Sequence, residues 1–97
     1  MTAKYKITSK VSVYSGISAW RFAHVDRVQS EKIRRKHALK KRGFGSIPVS
    51  VKLGKTVWKT SIFPEKLSGT YLLPLKVAVR LAEDIGDDDT VTFTLEI

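Results

Sequence analysis

Hydrophobic and polar residues alternate along several stretches of this chain, and a period of two is typical of β-strands with one buried and one exposed face. The alternation predicts five strands, over residues 5–13, 19–25, 47–53, 56–63 and 90–97. A sixth, shorter strand is predicted between the turn after Pro64 and the proline at position 74. In the last strand Phe93 lies on the apolar parity, and we expect it to be buried against the predicted helix of residues 74–85.

One strand departs from simple alternation. Residues 56–63 carry apolar side chains on both parities, Trp58 and Ile62 on one and Val57 and Phe63 on the other. This pattern predicts a strand that is covered on both faces, as in the centre of a closed sheet. Pro64 is expected to end it, since proline cannot donate a ladder hydrogen bond.

Two segments have the spacing of a helix. Residues 74–85 place an apolar stripe at i, i+3, i+4 and i+7, formed by Leu75, Ala78, Leu81, Ala82 and Ile85,. Residues 31–41 follow Ser30, a good N-cap, and accumulate cations toward the end, as the helix dipole favours. Together these elements predict one mainly antiparallel β domain over residues 1–97, with two short helices.

Composition narrows the class of protein. The chain has 97 residues, 42% of them hydrophobic, enough for one folded core,. It has no cysteine, so disulfides and thiolate zinc sites are excluded,. Neither an apolar leader nor a run of about 18 apolar residues occurs, and we therefore expect a cytoplasmic protein that does not insert into a membrane.

Charge is distributed unevenly along the chain. The net charge is +9, but residues 1–60 hold 15 Lys and Arg against two acidic residues, whereas residues 61–97 hold 3 against 7. A basic surface concentrates polyanions, so nucleic acid is one candidate partner. The alternative is a basic surface that only keeps the domain soluble, because net charge does not define function.

The densest basic segment covers residues 32–42, with seven cations in eleven positions. The candidate nucleic-acid contacts are Lys32, Arg34, Arg35, Lys36, Lys40, Lys41 and Arg42, followed by Phe44 as the single aromatic platform for a base,. A solvated helix face explains the same run without a ligand. Both interpretations stay open on the sequence.

A family resemblance begins at residues 58–64, Trp-Lys-Thr-Ser-Ile-Phe-Pro, and continues through residues 69–82, which contain Leu-Pro-Leu-Lys-Val-Ala-Val-Arg. These motifs, with the Asp-Asp-Thr-Val at residues 88–91, resemble a small bacterial family known only as a domain of unknown function. The resemblance implies a double-split β-barrel of about six strands and two helices, and no established activity. Asp88 stands where the family pattern usually has glycine.

Residues 73–81 also resemble the hairpin of AbrB- and MazE-type DNA-binding proteins, in which Leu-Pro-x-x-x-Arg precedes an acidic turn. Arg80 can be laid near the arginine of that pattern. The likeness is short and of low specificity. The alternative function, a DNA-binding or RNA-binding protein with a regulatory role, rests on the basic segment of residues 32–42.

A possible anion-binding site follows from the second helix. Lys76 and Arg80 are four residues apart and share one face, and in the implied barrel they are expected near Trp58, Thr60 and Ser61,. Such a group could hold a phosphate or carboxylate. The alternative is an internal ion pair between Arg80 and an acidic residue in the segment 83–89.

No catalytic constellation is present in the sequence. The two histidines, His24 and His37, have no metal-ligand spacing, and there is no nucleophile elbow or phosphate loop,. We therefore expect a non-catalytic binding or structural module without a cofactor. Its partner is not defined, and both a nucleic acid and another protein remain candidates.

Overall fold

The computed structural model describes residues 3–13 and 20–97, apart from the side chain of Phe44. The strands are β1 (Lys4–Val13), β2 (Arg21–His24), β3 (Ile47–Leu53), β4 (Thr56–Glu65), β5 (Thr70–Pro74) and β6 (Thr90–Glu96). The helices are α1 (Arg27–Lys36) and α2 (Val77–Ala82), and short 3₁₀ turns cover Ala38–Lys40 and Gly43–Gly45. Ser15-Gly16, where the sequence predicts a turn between the first two strands, lies outside the described residues,.

The six strands close into one antiparallel barrel in the order β1-β2-β5-β4-β3-β6. The two ten-residue strands each take part in two sheets. β1 pairs with β6 over residues 4–10 and with β2 over residues 11–13. β4 pairs with β3 over residues 56–62 and with β5 over residues 63–65. The predicted fold class, a mainly antiparallel double-split barrel of six strands with two short helices, is confirmed.

The barrel interior is filled by one parity of each long strand, as the alternation predicted. The buried strand residues include Ile7, Val11, Ala23, Val49, Val51, Leu53, Trp58, Ile62, Leu73, Val91, Phe93 and Leu95. Phe93 is 1% exposed, which confirms its expected burial. Because these strands use one parity for the core, the opposite parity is left for charged and hydroxyl side chains on the outer face.

Helix α1 packs against β5. Its Ile33 is fully buried, and Tyr71 and Leu72 of β5 are buried as well, although they lie on opposite parities. Ser30 ties the two elements together, because its Oγ donates to the Val25 carbonyl at 2.9 Å and accepts from the Tyr71 amide at 3.0 Å. A strand covered on both faces therefore exists, and it is β5.

The boundaries predicted for α1 are wrong at both ends. The N-cap is Asp26, whose carboxylate accepts from the Gln29 amide at 3.1 Å, and Ser30 lies inside the helix as a buried residue. The helix ends at Lys36, since His37 leaves helical geometry with φ −113°. Asp26 and Ser30 are both good N-cap residues, and the sequence analysis chose Ser30. Asp26 was missed because it follows the predicted strand directly.

Helix α2 is shorter than the predicted span of residues 74–85. Pro74 is the last residue of β5, opposite Phe22 of β2, and the Leu75 amide donates to the Arg21 carbonyl at 2.9 Å. Backbone pairing with β2 thus keeps Leu75, the first residue of the apolar stripe, outside the helix. Within the helix Val79 is the buried residue, whereas Ala78, Leu81 and Ala82, which the stripe placed against the sheet, are exposed.

Strand β4 also differs from its prediction. It continues through Pro64 to Glu65, with Pro64 opposite Tyr71 of β5. Its second parity is not covered, since Val57 and Phe63 are exposed. The barrel is only one layer thick at this strand, so apolar residues on both parities did not indicate two covered faces.

Neither helix in the described ranges, residues 3–13 and 20–97, has the length and apolar character needed to cross a bilayer.

Candidate functional site

A cleft of about 360 Å³ opens between the start of β2 and helix α2. We call it the Trp20 cleft. It is lined by Trp20, Arg21, Pro74, Leu75, Lys76, Val77 and Arg80. The sheet register builds it, because β2 and β5 are antiparallel neighbours and the chain beyond Pro74 is tied to Arg21 before it turns into α2. The cleft combines apolar walls with three cations.

Trp20 forms the exposed aromatic wall of this cleft. Trp20 is 51% exposed. The centre of its ring lies 5.7 Å from the ring centre of Phe22, and the two ring planes meet at 34°. Val77, on the first turn of α2, is also exposed. Exposed large apolar groups beside a concave surface are typical of a binding site.

The three cations of the cleft differ in how they are held. Arg21 is engaged by Asp87, with Nε 2.5 Å from Oδ1 and Nη2 3.4 Å from Oδ2. The Arg80 Nε donates to the Leu75 carbonyl at 3.0 Å, which orients the guanidinium without neutralising it. Across residues 3–13 and 20–97, no ion pair involves Lys76 or Arg80. Two positive charges therefore remain available at the cleft.

The expected internal ion pair of Arg80 is not formed. The acidic turn does engage an arginine, but that arginine is Arg21 of β2, through Asp87. Sequence distance favoured Arg80, which is close to the acidic turn along the chain. Barrel closure instead brings the start of β2 against that turn.

The Trp20 cleft brings Lys76 and Arg80 together without the three residues of β4 that were predicted to join them. Trp58 is a core residue, 8% exposed. Thr60 lines a different cleft on the β3–β4 face, and neither it nor Ser61 lines the Trp20 cleft. The aromatic residue that lines the cleft with the two cations is Trp20, which the sequence analysis did not select as a site residue.

The basic segment 32–42 is divided by the structure into separate surfaces. Arg34 turns inward, where Nη1 lies 2.6 Å from Glu31 and Nη2 donates to the Gly69 carbonyl at 3.3 Å. Its guanidinium also stacks 5.6 Å from the ring centre of Tyr71. Arg34 therefore has a packing role and is a poor candidate for the nucleic-acid contact expected of it.

The remaining cations lie in two places. Lys32, Arg35 and Lys36 line a groove between β1 and α1, together with Tyr5, Arg27, Val28 and Glu31. Lys40 and Arg42 line a cleft with Lys59, past the end of the helix. Lys41 is exposed, and the side chain of Phe44 is outside the described part of the structure.

A tyrosine–histidine pair lies next to the groove. The Tyr5 hydroxyl is 2.9 Å from Nε2 of His37, and the two rings meet edge to face at 5.8 Å. Burial, reinforced by repulsion from Lys40 and Lys36, lowers the pKa of His37, and burial raises the pKa of Tyr5. Both shifts favour a neutral pair, which fixes β1 to the end of α1.

His24 has a similar structural environment, since its Nδ1 lies 3.0 Å from the Thr70 hydroxyl. In the described part of the chain, no group of three or more histidine and carboxylate side chains is placed to hold a metal ion.

These features define a small closed β-barrel domain with two short helices and open surface clefts. Comparison of the sequence with protein families then identifies its relatives. The chain belongs to the family described as Domain of unknown function (DUF1905), whose profile matches residues 8–95. No curated protein matches the chain.

Proposed function

We propose that this protein is a non-catalytic binding module, and that its Trp20 cleft takes an anionic ligand with an apolar body. The observation that carries the proposal is the pairing of an apolar cleft with two cations, Lys76 and Arg80, that have no carboxylate partner among the described residues. The ligand class is a carboxylate or phosphate monoester attached to a ring or a short aliphatic chain.

The apolar part of such a ligand would contact Trp20, Pro74 and Val77. Burial of apolar surface contributes roughly 25 cal/mol per Å². A hydrogen bond to a charged partner contributes about 1.5–3 kcal/mol. After the cost of association, a ligand of this size is expected to bind with a dissociation constant of about 10⁻⁵ to 10⁻³ M.

The chemistry of the lining favours binding over catalysis. General acid–base catalysis needs a carboxylate, imidazole or similar group within hydrogen-bond reach of the ligand. The carboxylate beside this cleft belongs to Asp87, and Arg21 already engages both of its oxygens. Lys76 and Arg80 can hold an anion in place, and neither side chain is paired with a base.

Titration of Trp20 fluorescence tests the proposal. The sequence has two tryptophans, so a Trp58→Phe background leaves Trp20 as the reporter, with folding checked by circular dichroism. Phenylacetate and phenyl phosphate are expected to change the Trp20 emission, and uncharged phenylacetamide is expected to bind at least about tenfold more weakly.

Two substitutions separate the cleft from general charge effects. Lys76→Gln removes one cleft cation and is expected to weaken phenylacetate binding about tenfold, because it loses one charge-assisted contact. Lys55→Gln, in the exposed β3–β4 turn, removes the same charge elsewhere and should leave binding unchanged. Equal binding of phenylacetate and phenylacetamide, or equal effects of the two substitutions, would overturn the proposal.

The likeness of residues 73–81 to the AbrB and MazE hairpin is kept here only as a hypothesis of distant relationship. In this barrel the segment is divided between the end of β5 and α2, and the Arg80 Nε is bound to the Leu75 carbonyl. The proposed function of the Trp20 cleft does not depend on that likeness.

A further inference from the structure

The groove between β1 and α1 is a concave surface of the barrel with a volume of about 800 Å³. Its lining holds four cations, Arg27, Lys32, Arg35 and Lys36, against one carboxylate, Glu31. That carboxylate is already engaged by Arg34 at 2.6 Å and by Arg35 at 3.3 Å. The groove is therefore strongly positive.

The cations are spread along the groove and are not gathered at one point. Arg27 begins α1 and Lys36 ends it, and a helix of ten residues is about 15 Å long,. Lys32 and Lys36 are one turn apart on the same face, with Arg35 beside them. A row of charges over this length matches an extended polyanion better than a single small anion.

Tyr5 gives the groove an aromatic contact of fixed orientation. The residue is half-buried on β1, and its hydroxyl is bound to His37, so the ring is held in place from the side of the core. Stacking of a base on an aromatic side chain is worth several-fold to about a hundredfold in affinity for single-stranded nucleic acid. A polyanion without bases, such as inorganic polyphosphate, gains nothing from that ring.

The positive surface continues beyond the helix. Lys40, Arg42 and Lys59 line the next cleft, of about 380 Å³, which also contains Glu96. Lys4, the residue before Tyr5, lies opposite Glu96 in the β1–β6 ladder and 3.9 Å from its carboxylate. The start of β1 therefore lies between the two clefts. A single nucleic-acid strand bound along α1 can continue over this region to the β3–β4 face.

We propose that this groove binds single-stranded nucleic acid, with its phosphates along α1 and one base stacked on Tyr5. The site is separate from the Trp20 cleft and does not rest on the function proposed for it. Contacts of this kind recognise the backbone and an unpaired base and carry little sequence information, so binding is expected to be weak, strongly salt-dependent and almost independent of base composition.

Fluorescence anisotropy with labelled oligonucleotides tests the inference. A twelve-nucleotide single strand, as DNA and as RNA, is compared with duplex DNA of the same length, and unlabelled inorganic polyphosphate serves as competitor. The single strands are expected to bind at least about tenfold more tightly than the duplex, because the bases of a duplex cannot reach Tyr5.

Two matched triple variants locate the contact. Replacing Lys32, Arg35 and Lys36 by Gln is expected to reduce the salt slope by about two units, at roughly 0.7 per phosphate contact on a single strand. Replacing Lys10, Lys52 and Lys55 by Gln removes the same charge from exposed strand and turn positions and is expected to leave most of the slope. Equal slopes for the two variants would refute the assignment to this groove.

Substitution of Tyr5 separates stacking from charge. Tyr5→Leu is expected to weaken single-strand binding by about 5-fold to 100-fold, and Tyr5→Phe, which keeps the ring and loses the bond to His37, by much less. Competition by polyphosphate is expected to be unaffected by either change. The inference would be overturned if Tyr5→Leu bound single strands as tightly as wild type, or if wild type did not bind them at low salt. Lys76→Gln, in the separate Trp20 cleft, is expected to change neither the single-strand affinity nor the competition by polyphosphate.

Discussion

Asp88 adopts a left-handed backbone conformation, with φ of 64°, in the acidic turn between α2 and β6. Aspartate tolerates this conformation better than most residues. The neighbouring Asp89 stabilises the same turn, because its Oδ2 accepts from the Gly86 amide at 2.7 Å. The turn is kept at the cost of some backbone strain.

A comparison of two substitutions measures this strain. Asp88→Ala places a residue with no compensating side-chain contact in the left-handed region, which costs about 1–2 kcal/mol, whereas Asp88→Gly removes the steric conflict. We expect the glycine variant to be more stable than the alanine variant by about 1 kcal/mol in urea unfolding. Equal stabilities would contradict a left-handed Asp88.

His37 predicts a dependence of stability on pH. Burial and the cations Lys40 and Lys36 lower its pKa in the folded protein, so below its ordinary value of about 6.5 the unfolded chain takes up the proton first,. The stability associated with neutral His37 is thus complete above about pH 6.5 and is lost as the pH falls through the folded-state pKa.

Substitution by a residue that does not titrate isolates this effect. Gln at position 37 can still hydrogen-bond the Tyr5 hydroxyl, and it carries no ionisable group. The urea midpoint of wild type is expected to fall more between pH 7.5 and pH 5.0 than that of His37→Gln. Parallel decreases in the two proteins would show that other groups cause the acid sensitivity.

At the scale of elements, the β3–β4 turn and the C-terminal end of α2 are in direct contact. Gly54, in this turn, has φ of 60°, and the carboxylate of Glu83 packs against its α-carbon. The same carboxylate accepts a hydrogen bond from the Thr56 hydroxyl at 2.6 Å. The short helix α2 is therefore fastened to the barrel by a side chain at its C-terminal end.

A double-mutant cycle tests this attachment. Gly54→Ala costs about 1–2 kcal/mol for the left-handed backbone, and more because the new methyl group displaces Glu83. In a Glu83→Ala background the second part is absent, so the same substitution is expected to cost less. Gly43→Ala is the control, since nothing lies within 4 Å of the added carbon and its effect should stay under about 0.5 kcal/mol,. Additive free energies would refute the contact.

The elements also show where local pattern loses its predictive value. The alternation located the long strands because the parity of a strand is a local property. The residues at which the helices begin and end were not determined by local sequence alone. Pro74 and Leu75 belong to the span predicted for α2, yet Pro74 pairs with Phe22 as the last residue of β5, and the Leu75 amide donates to the Arg21 carbonyl.

The whole barrel depends on a single core, in which Phe93 is among the largest fully buried side chains. Its register partners are Ile7 on β1 and Leu53 on β3, both buried. Phe93→Ala is expected to cost about 3–5 kcal/mol, a large share of the stability of a small domain. Thr90→Ala, on the exposed parity of the same strand, should cost under about 0.5 kcal/mol.

Chemical denaturation of these two variants decides between the parities. A loss below about 1 kcal/mol for Phe93→Ala, or a comparable loss for Thr90→Ala, would mean that the strand faces the other way.

The sequence by itself determined the strand parities, the existence of two short helices and the six-stranded barrel class. The parities and the helices follow from the period of the hydrophobic pattern, whereas the barrel class was implied by the family resemblance of the second half of the chain. The candidate sites were less accessible, because a surface cleft is made by residues that are distant in sequence. Trp58 and Trp20 have similar neighbours along the chain, and only barrel closure makes one a core residue and the other a wall of a cleft.

The tertiary structure alone decided how the charges are grouped. Arg21, and not Arg80, forms an ion pair with the acidic turn. The side chain of Arg34, in the basic segment, packs on the ring of Tyr71. Among the other cations of that segment, Lys32, Arg35 and Lys36 line one cleft, and Lys40 and Arg42 line another. Long charged side chains take the partners that strand register brings within reach, and register between strands far apart in sequence is a property of the closed barrel and not of any one segment.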